Sequence, residues 1–411
     1  MRSSLALGML VVASFLMANF ASKAAVAQEV ILHSFNGDDE NDGDEPVGPV
    51  LLDSSGNIYG TTFNGGVHGW GTVFKMTPGA GGWSLANVIS FNGMGAAWPT
   101  SRLTFDAAGD LYGTTFFGGI LNDGVAFKLT PAAEGSWNET ALHDFSPNAH
   151  DGTFPRSGVI FDLAGNAYGT TTGGGTFGNG TVFQLSPIAG GGWKETILHN
   201  FDDTDGWQPT AGLAIDKAGN LYGTTDFGGS SSACDSGCGA VFQVGPKAGG
   251  GWGEKVLLSF NNNNGSSPST PLTLDAEGNI YGTTSSGGRY NQGNVFKLSR
   301  ASGGWKLTTL YSFGAIPNDG VAPSGFLALD AAGNVYGVTS NGGTYGGGTV
   351  FKLSRQASET WKETILHNFD SNGGDGYSPG SGVVLDSAGN LYGTTEDGGT
   401  YGDGTVYEIE R

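Results

Sequence analysis

The chain has 411 residues and a formal net charge of −20, with 38 acidic against 18 basic side chains. Such a field repels nucleic acid and anionic lipid and argues against both as partners. Glycine supplies 75 residues, about 18% against a usual ~7%, and it recurs in register, so the bias reads as the turns of a repetitive fold.

The N-terminus comes first. Arg2 gives a short positive start, Leu5 to Phe20 is almost wholly apolar, and Ala25-Val26-Ala27 supplies a small-x-small cleavage site. Residues 1–27 therefore read as a signal peptide. An uncleaved anchor is the rival reading, for which the run is short. Without Arg2 and Lys23 the net charge falls to −22. The expectation is one domain over 28–411, secreted, periplasmic or at the cell surface, with no membrane insertion after cleavage.

From there the chain repeats. Tyr-Gly-Thr-Thr stands at Tyr59, Tyr112, Tyr168, Tyr222, Tyr281 and Tyr392, with Tyr336-Gly-Val-Thr as a variant. Successive tyrosines lie 53, 56, 54, 59, 55 and 56 residues apart, a period typical of a propeller or solenoid. Each unit reads as four short strands. In the third they are Gly158 to Asp162, Asn166 to Thr171, Gly180 to Leu185 and Trp193 to Phe201. Each unit also has a proline thirteen residues before its tyrosine: Pro46, Pro99, Pro155, Pro209, Pro268, Pro323 and Pro379.

The ends decide the topology. Val30 to Phe35 matches a fourth strand (compare Ile197 to Phe201), and the chain stops after Gly404 to Ile409, a third strand. The orphan at the start completes the unit at the end, as a closed ring requires. The predicted fold class is all-β: a seven-bladed β-propeller with four-stranded blades, the N-terminal strand completing the C-terminal blade.

Several residues invite chemistry. Asp53, Asp106, Asp162, Asp216, Asp275, Asp330 and Asp386 each precede a tight turn, and seven equal copies point to a structural role. His33, His143, His199 and His367 share one strand position, filled elsewhere by Ser90, Leu258 (or its neighbour) and Tyr311. That variety reads as packing or a local hydrogen bond. Five units read Asp-Gly-x-x-Pro, as turns do. Within them, Asp38, Glu40 and Asp42, and more weakly Asp202, Asp203 and Asp205, approximate a calcium loop, so calcium is the one candidate cofactor. Cys234 and Cys238 read as a loop disulfide in an oxidising compartment, with a two-cysteine metal site or free thiols as alternatives.

In a propeller the loops joining fourth to first and second to third strands share one face. Trp70, Trp98, Phe154, Trp207 and Tyr377 fall in those loops, the expected ligand-binding set, although capping of loop–blade junctions is the plainer reading.

The string Asp386-Ser-Ala-Gly-Asn-Leu-Tyr-Gly-Thr-Thr-Glu-Asp-Gly-Gly399, followed by Gly404-Thr-Val-Tyr407, resembles the GloVer (Gloeo/Verruco) tandem repeat of exported bacterial proteins. More distantly it is similar to NHL-type propellers. The resemblance covers the mature chain and implies a surface or secreted location, but no activity. The reading that follows is a monomeric, non-enzymatic binding or structural module for an extracellular glycan, peptide or protein. Its rival is a lyase- or lactonase-type propeller enzyme with a metal near the central channel.

Overall fold

The computed structural model describes residues 28–148, 150–370, 372 and 374–411; the expected leader lies outside them. The described residues form seven four-stranded antiparallel sheets and three two-stranded ribbons. Blade one runs Leu51–Leu52, Ile58–Thr62, Thr72–Gly79 and Gly82–Ser90, and the next five repeat that order. Blade seven joins Val384–Leu385, Leu391–Thr395 and Thr405–Glu410 to the N-terminal strand Gln28–Ser34. Its closing register runs from Gln28 opposite Glu410 to Ser34 opposite Thr405. The ring is thus closed by hydrogen bonds between the chain's two ends, which removes the exposed edges an open array would carry.

The repeat motif is explained by what each residue touches. Asp162 accepts from the N–H groups of Ala164 and Asn166, from Asn166 Nδ2, and from the Tyr168 hydroxyl at 2.8 Å. The Asp-x-x-Gly-Asn-x-Tyr string is therefore one saturated carboxylate with its donors. Glycine follows the tyrosine because a side chain there would run into the aromatic ring of the third strand: Gly169 faces the Phe183 ring. The first threonine reaches the next blade, Thr170 Oγ1 donating to the Ala211 carbonyl at 3.1 Å. The second stays at home, Thr171 pairing with Thr181 at 2.8 Å. Each proline rests against the glycine that opens the preceding blade's third strand, as Pro209 does on Gly180.

The core lies between blades. Seven clusters occupy the seven junctions, and each holds an aromatic pair from adjacent blades, Phe145–Phe183 at 5.1 Å for example and Phe35–Phe74 at 5.3 Å at the closure. Edge-to-face pairs of this kind contribute about 0.5–1.5 kcal/mol beyond the area they bury. All seven outer strands carry a bulge at the same place, Leu198 being the extra residue in blade three. The bulge changes one assignment. The residue equivalent to His199 in blade one is Ile89, facing Val73, not Ser90; in blade four it is Leu258, facing Val241.

Candidate ligand-binding face

The segment before each proline pairs with the segment after the Tyr-Gly-Thr-Thr (or Tyr-Gly-Val-Thr) motif, as a ribbon (Gly152–Thr153 with Gly173–Gly174), as a bridge (Ala97 with Phe117, Trp207 with Phe227) or, in blade six, as a continuation of the sheet (Gly320 with Gly342). The two sets of loops therefore do share one face. The residue just before the proline is Glu45, Trp98, Phe154, Gln208, Ser267, Ala322 or Ser378, and all seven have φ between 52° and 59°. A non-glycine residue pays for that left-handed backbone. Each is held there by donating its N–H to a carbonyl of the preceding blade, as Trp98 does to Trp70 and Phe154 to Asp123. A ring of seven side chains is thus fixed on the face by rigid backbone.

In blades one to three that ring becomes an aromatic platform. Trp98 stacks on Phe63 (5.4 Å, 17° between planes) and touches Trp70 at 5.2 Å and Phe117 at 4.9 Å. Phe116 and Phe117 contact each other at 4.5 Å, and Phe154 packs on both. The Arg156 guanidinium lies 4.5 Å over Phe116, and Trp70 is 39% exposed. On the opposite side, Glu45 accepts from Asn64 Nδ2 at 3.1 Å. The structure thus brings Trp70, Trp98 and Phe154 together, and adds Phe63, Phe116 and Phe117. Phe63 and Phe116 directly follow the Thr-Thr pair, where the other blades carry Thr172, Asp226, Ser285, Ser340 and Glu396. That difference between repeats was the available signal.

The remaining two expected residues sit elsewhere. Trp207 packs on Phe227 at 5.3 Å and lines a cleft of about 470 Å³ with Asn179, Asp203, Ser231 and Asp235. One wall of that cleft is the inserted loop, closed by a Cys234–Cys238 disulfide. Tyr377 is half-buried against the cluster between blades six and seven.

The central channel is lined from all seven blades, Arg102, Arg156, Thr210 and Ser381 among them, and the Arg102 guanidinium lies 5.0 Å over the Phe326 ring. At its mouth Asp226 accepts from Thr210 at 3.0 Å. Burial pushes the Asp226 carboxyl up to about 6, against the lowering influence of Thr210 and Arg156.

The acidic loop residues fall differently from the calcium pattern. Asp42 turns inward, its carboxylate within 3.0 Å of His33 Nε2 and accepting from the N–H groups of Asn36 and Gly43, while Asp38 and Glu40 are exposed. Asp205 likewise leaves Asp202 and Asp203 at the surface and meets His199 Nε2 at 2.8 Å. The histidine position is thus a hydrogen-bonding one in these blades. At three junctions a glutamate from the next blade joins: His143, Asp151 and Glu195; His199, Asp205 and Glu254; His367, Asp375 and Glu29. Burial, reinforced by the adjacent aspartates, holds Glu29 and Glu195 well above the usual carboxylate range.

Comparison with known proteins supports the fold. No curated protein matches the sequence. Among solved structures, a protein provisionally named a 6-phosphogluconolactonase from Bacteroides uniformis superposes with a TM-score of 0.51 at 14% identity, covering 82% of this chain and 88% of its own. An ancestral GH74 enzyme gives 0.57 at 11% identity over 90% of this chain, which spans about half (49%) of that one. Both likenesses concern the fold alone. The sequence profile of the Gloeobacter/Verrucomicrobia repeat matches residues 20–235 and 230–411, and with seven such units closed into a ring the chain belongs to that repeat family.

Proposed function

We propose that this propeller is an exported, non-enzymatic binding module whose ligand rests on the aromatic platform of blades one to three. The supporting observation is the convergence of Phe63, Trp70, Phe116 and Phe117 on Trp98 and Phe154, the two of the six that are held on left-handed backbone. Half-exposed flat rings suit the apolar faces of sugar rings or peptide side chains, and flanking Arg156 and Glu45 supply hydrogen-bonding groups for orientation. The disulfide loop is consistent with export to an oxidising compartment.

The experiment is a glycan and peptide array probed with the mature chain and with its Trp70→Ala/Trp98→Ala variant. The expected outcome is a defined ligand class whose signal falls at least about tenfold in the variant. Equal binding by both proteins would sink the platform assignment. A second reading, an enzyme acting at the channel, is favoured by Asp226, whose elevated carboxyl sits near Arg156 at the mouth. It predicts turnover of an array ligand that Asp226→Asn abolishes.

A further inference from the structure

We propose that the three His–Asp–Glu clusters at the blade junctions are zinc sites that clamp neighbouring blades together. Each takes its histidine from one outer strand, its aspartate from the loop that follows, and its glutamate from the outer strand of the next blade. The ligand atoms of each set lie within 4.8 Å of one another. The clusters are His143–Asp151–Glu195 (blades two and three), His199–Asp205–Glu254 (three and four) and His367–Asp375–Glu29 (six and seven).

Three observations point to a cation. First, the sets are enclosed: the histidines are 17–22% exposed at the side chain, and Glu195 and Glu29 only 11% and 12%. Second, the carboxylates are short of positive charge. Among the described residues, the ion pairs of Asp151, Asp205, Asp375, Glu29 and Glu195 are with these histidines alone. Third, Glu29 Oε1, Glu195 Oε1, Glu254 Oε1 and Asp375 Oδ1 are fully buried without a hydrogen-bond partner. A buried acceptor left unpaired is costly, and a metal ion would engage it. One imidazole with two carboxylates suits zinc, whereas calcium prefers oxygen ligands throughout.

The repeat supplies its own controls. Between blades four and five the same positions hold Leu258, Asn264 and Leu307, which offer no imidazole or carboxylate. Between five and six the Tyr311 hydroxyl donates to Asp319 at 3.0 Å, and the two oxygens of Glu363 are unpartnered, so the carboxylates are there without an imidazole. Between seven and one, His33 and Asp42 are present but Leu85 occupies the glutamate's position. Between one and two they hold Ile89, Gly95 and Glu139, again without an imidazole, so the seven-bladed ring should bind three ions rather than seven.

The test titrates the chelator-treated mature chain with zinc, and with cobalt read by its visible absorption. The expected result is three ions per chain and a melting temperature several degrees higher with zinc. The variant His199→Leu/Asp205→Asn/Glu254→Leu copies the blade-four/five junction, which this fold already accommodates, and should bind two. Glu254→Gln, a gentler change, should weaken one ion's binding about 10–100-fold with an unchanged circular dichroism spectrum. Absence of cobalt absorption and zinc uptake in the wild-type chain would overturn the proposal, as would a triple variant that still binds three.

Discussion

At the scale of single residues, one carboxylate explains most of the motif. The aspartate of each unit organises its turn and, in blades two to seven, takes the tyrosine hydroxyl as well. Burial raises the pKa of Asp162, but the Asn166 side chain, the Asn166 N–H and the Tyr168 hydroxyl outweigh it, so the net shift is downward. A group with a depressed folded pKa adds stability above its unfolded pKa, and that addition disappears as pH falls through the folded value. Asp162→Asn should therefore cost about 1–3 kcal/mol near neutrality. The gap between variant and wild type in urea melts should close below about pH 4; a gap unchanged at pH 2 would contradict the turn's electrostatic role. Asp226 has the opposite sign. Its pKa is raised to about 6, so its ionisation costs stability as pH climbs from the unfolded value of 3.8 to 6. Asp226→Asn keeps the Thr210 hydrogen bond and should raise stability at pH 7, on the order of 3 kcal/mol, with no gain at pH 3. The turn aspartates were legible because their donors lie within six residues. Asp226 was not, because Thr210 and Arg156, the groups around it, lie 16 and 70 residues earlier in the chain.

At the scale of strands, the bulged outer strand shows where repeat reasoning stops. Glu195 precedes His199 by four residues, yet its partner is His143, 52 residues earlier in the adjacent blade. Sequence spacing shows both residues but not the face to which the bulge turns them, and the same bulge moves the blade-one equivalent from Ser90 to Ile89. In the Asp-Gly loops the alternating acids look alike in sequence, whereas the structure turns Asp42 and Asp205 inward to their histidines and leaves Asp38, Glu40, Asp202 and Asp203 at the surface. The closing strand was legible, since its fourth-strand pattern has no other blade to complete. Deleting residues 28–35 removes the pairing with Thr405–Glu410 and the buried Phe35 ring on Phe74. The melting temperature should fall by roughly 10 °C or more, with aggregation visible by light scattering. A truncated chain melting like wild type would rule out this closure as a source of stability.

At the scale of the whole molecule, a symmetric frame carries an asymmetric face. Proline, tyrosine, glycine and the junction aromatics recur in nearly every blade and hold the ring together. The residues that break the pattern, Phe63, Trp70, Trp98, Phe116 and Phe154, gather in blades one to three. Reading the loops for off-pattern aromatics found Trp70, Trp98 and Phe154, but it grouped them with Trp207 and Tyr377, which the ring places in other surroundings. Distance around a ring is not written in loop composition. The most direct measurement is the dissociation constant of an array-selected ligand for Trp98→Ala and, separately, for Trp207→Ala, each with its melting temperature. The platform account predicts at least about tenfold weaker binding for Trp98→Ala, unchanged binding for Trp207→Ala, and melting temperatures within a few degrees of wild type. Normal binding by Trp98→Ala, or a loss confined to Trp207→Ala, would contradict it and move the site to the disulfide-walled cleft.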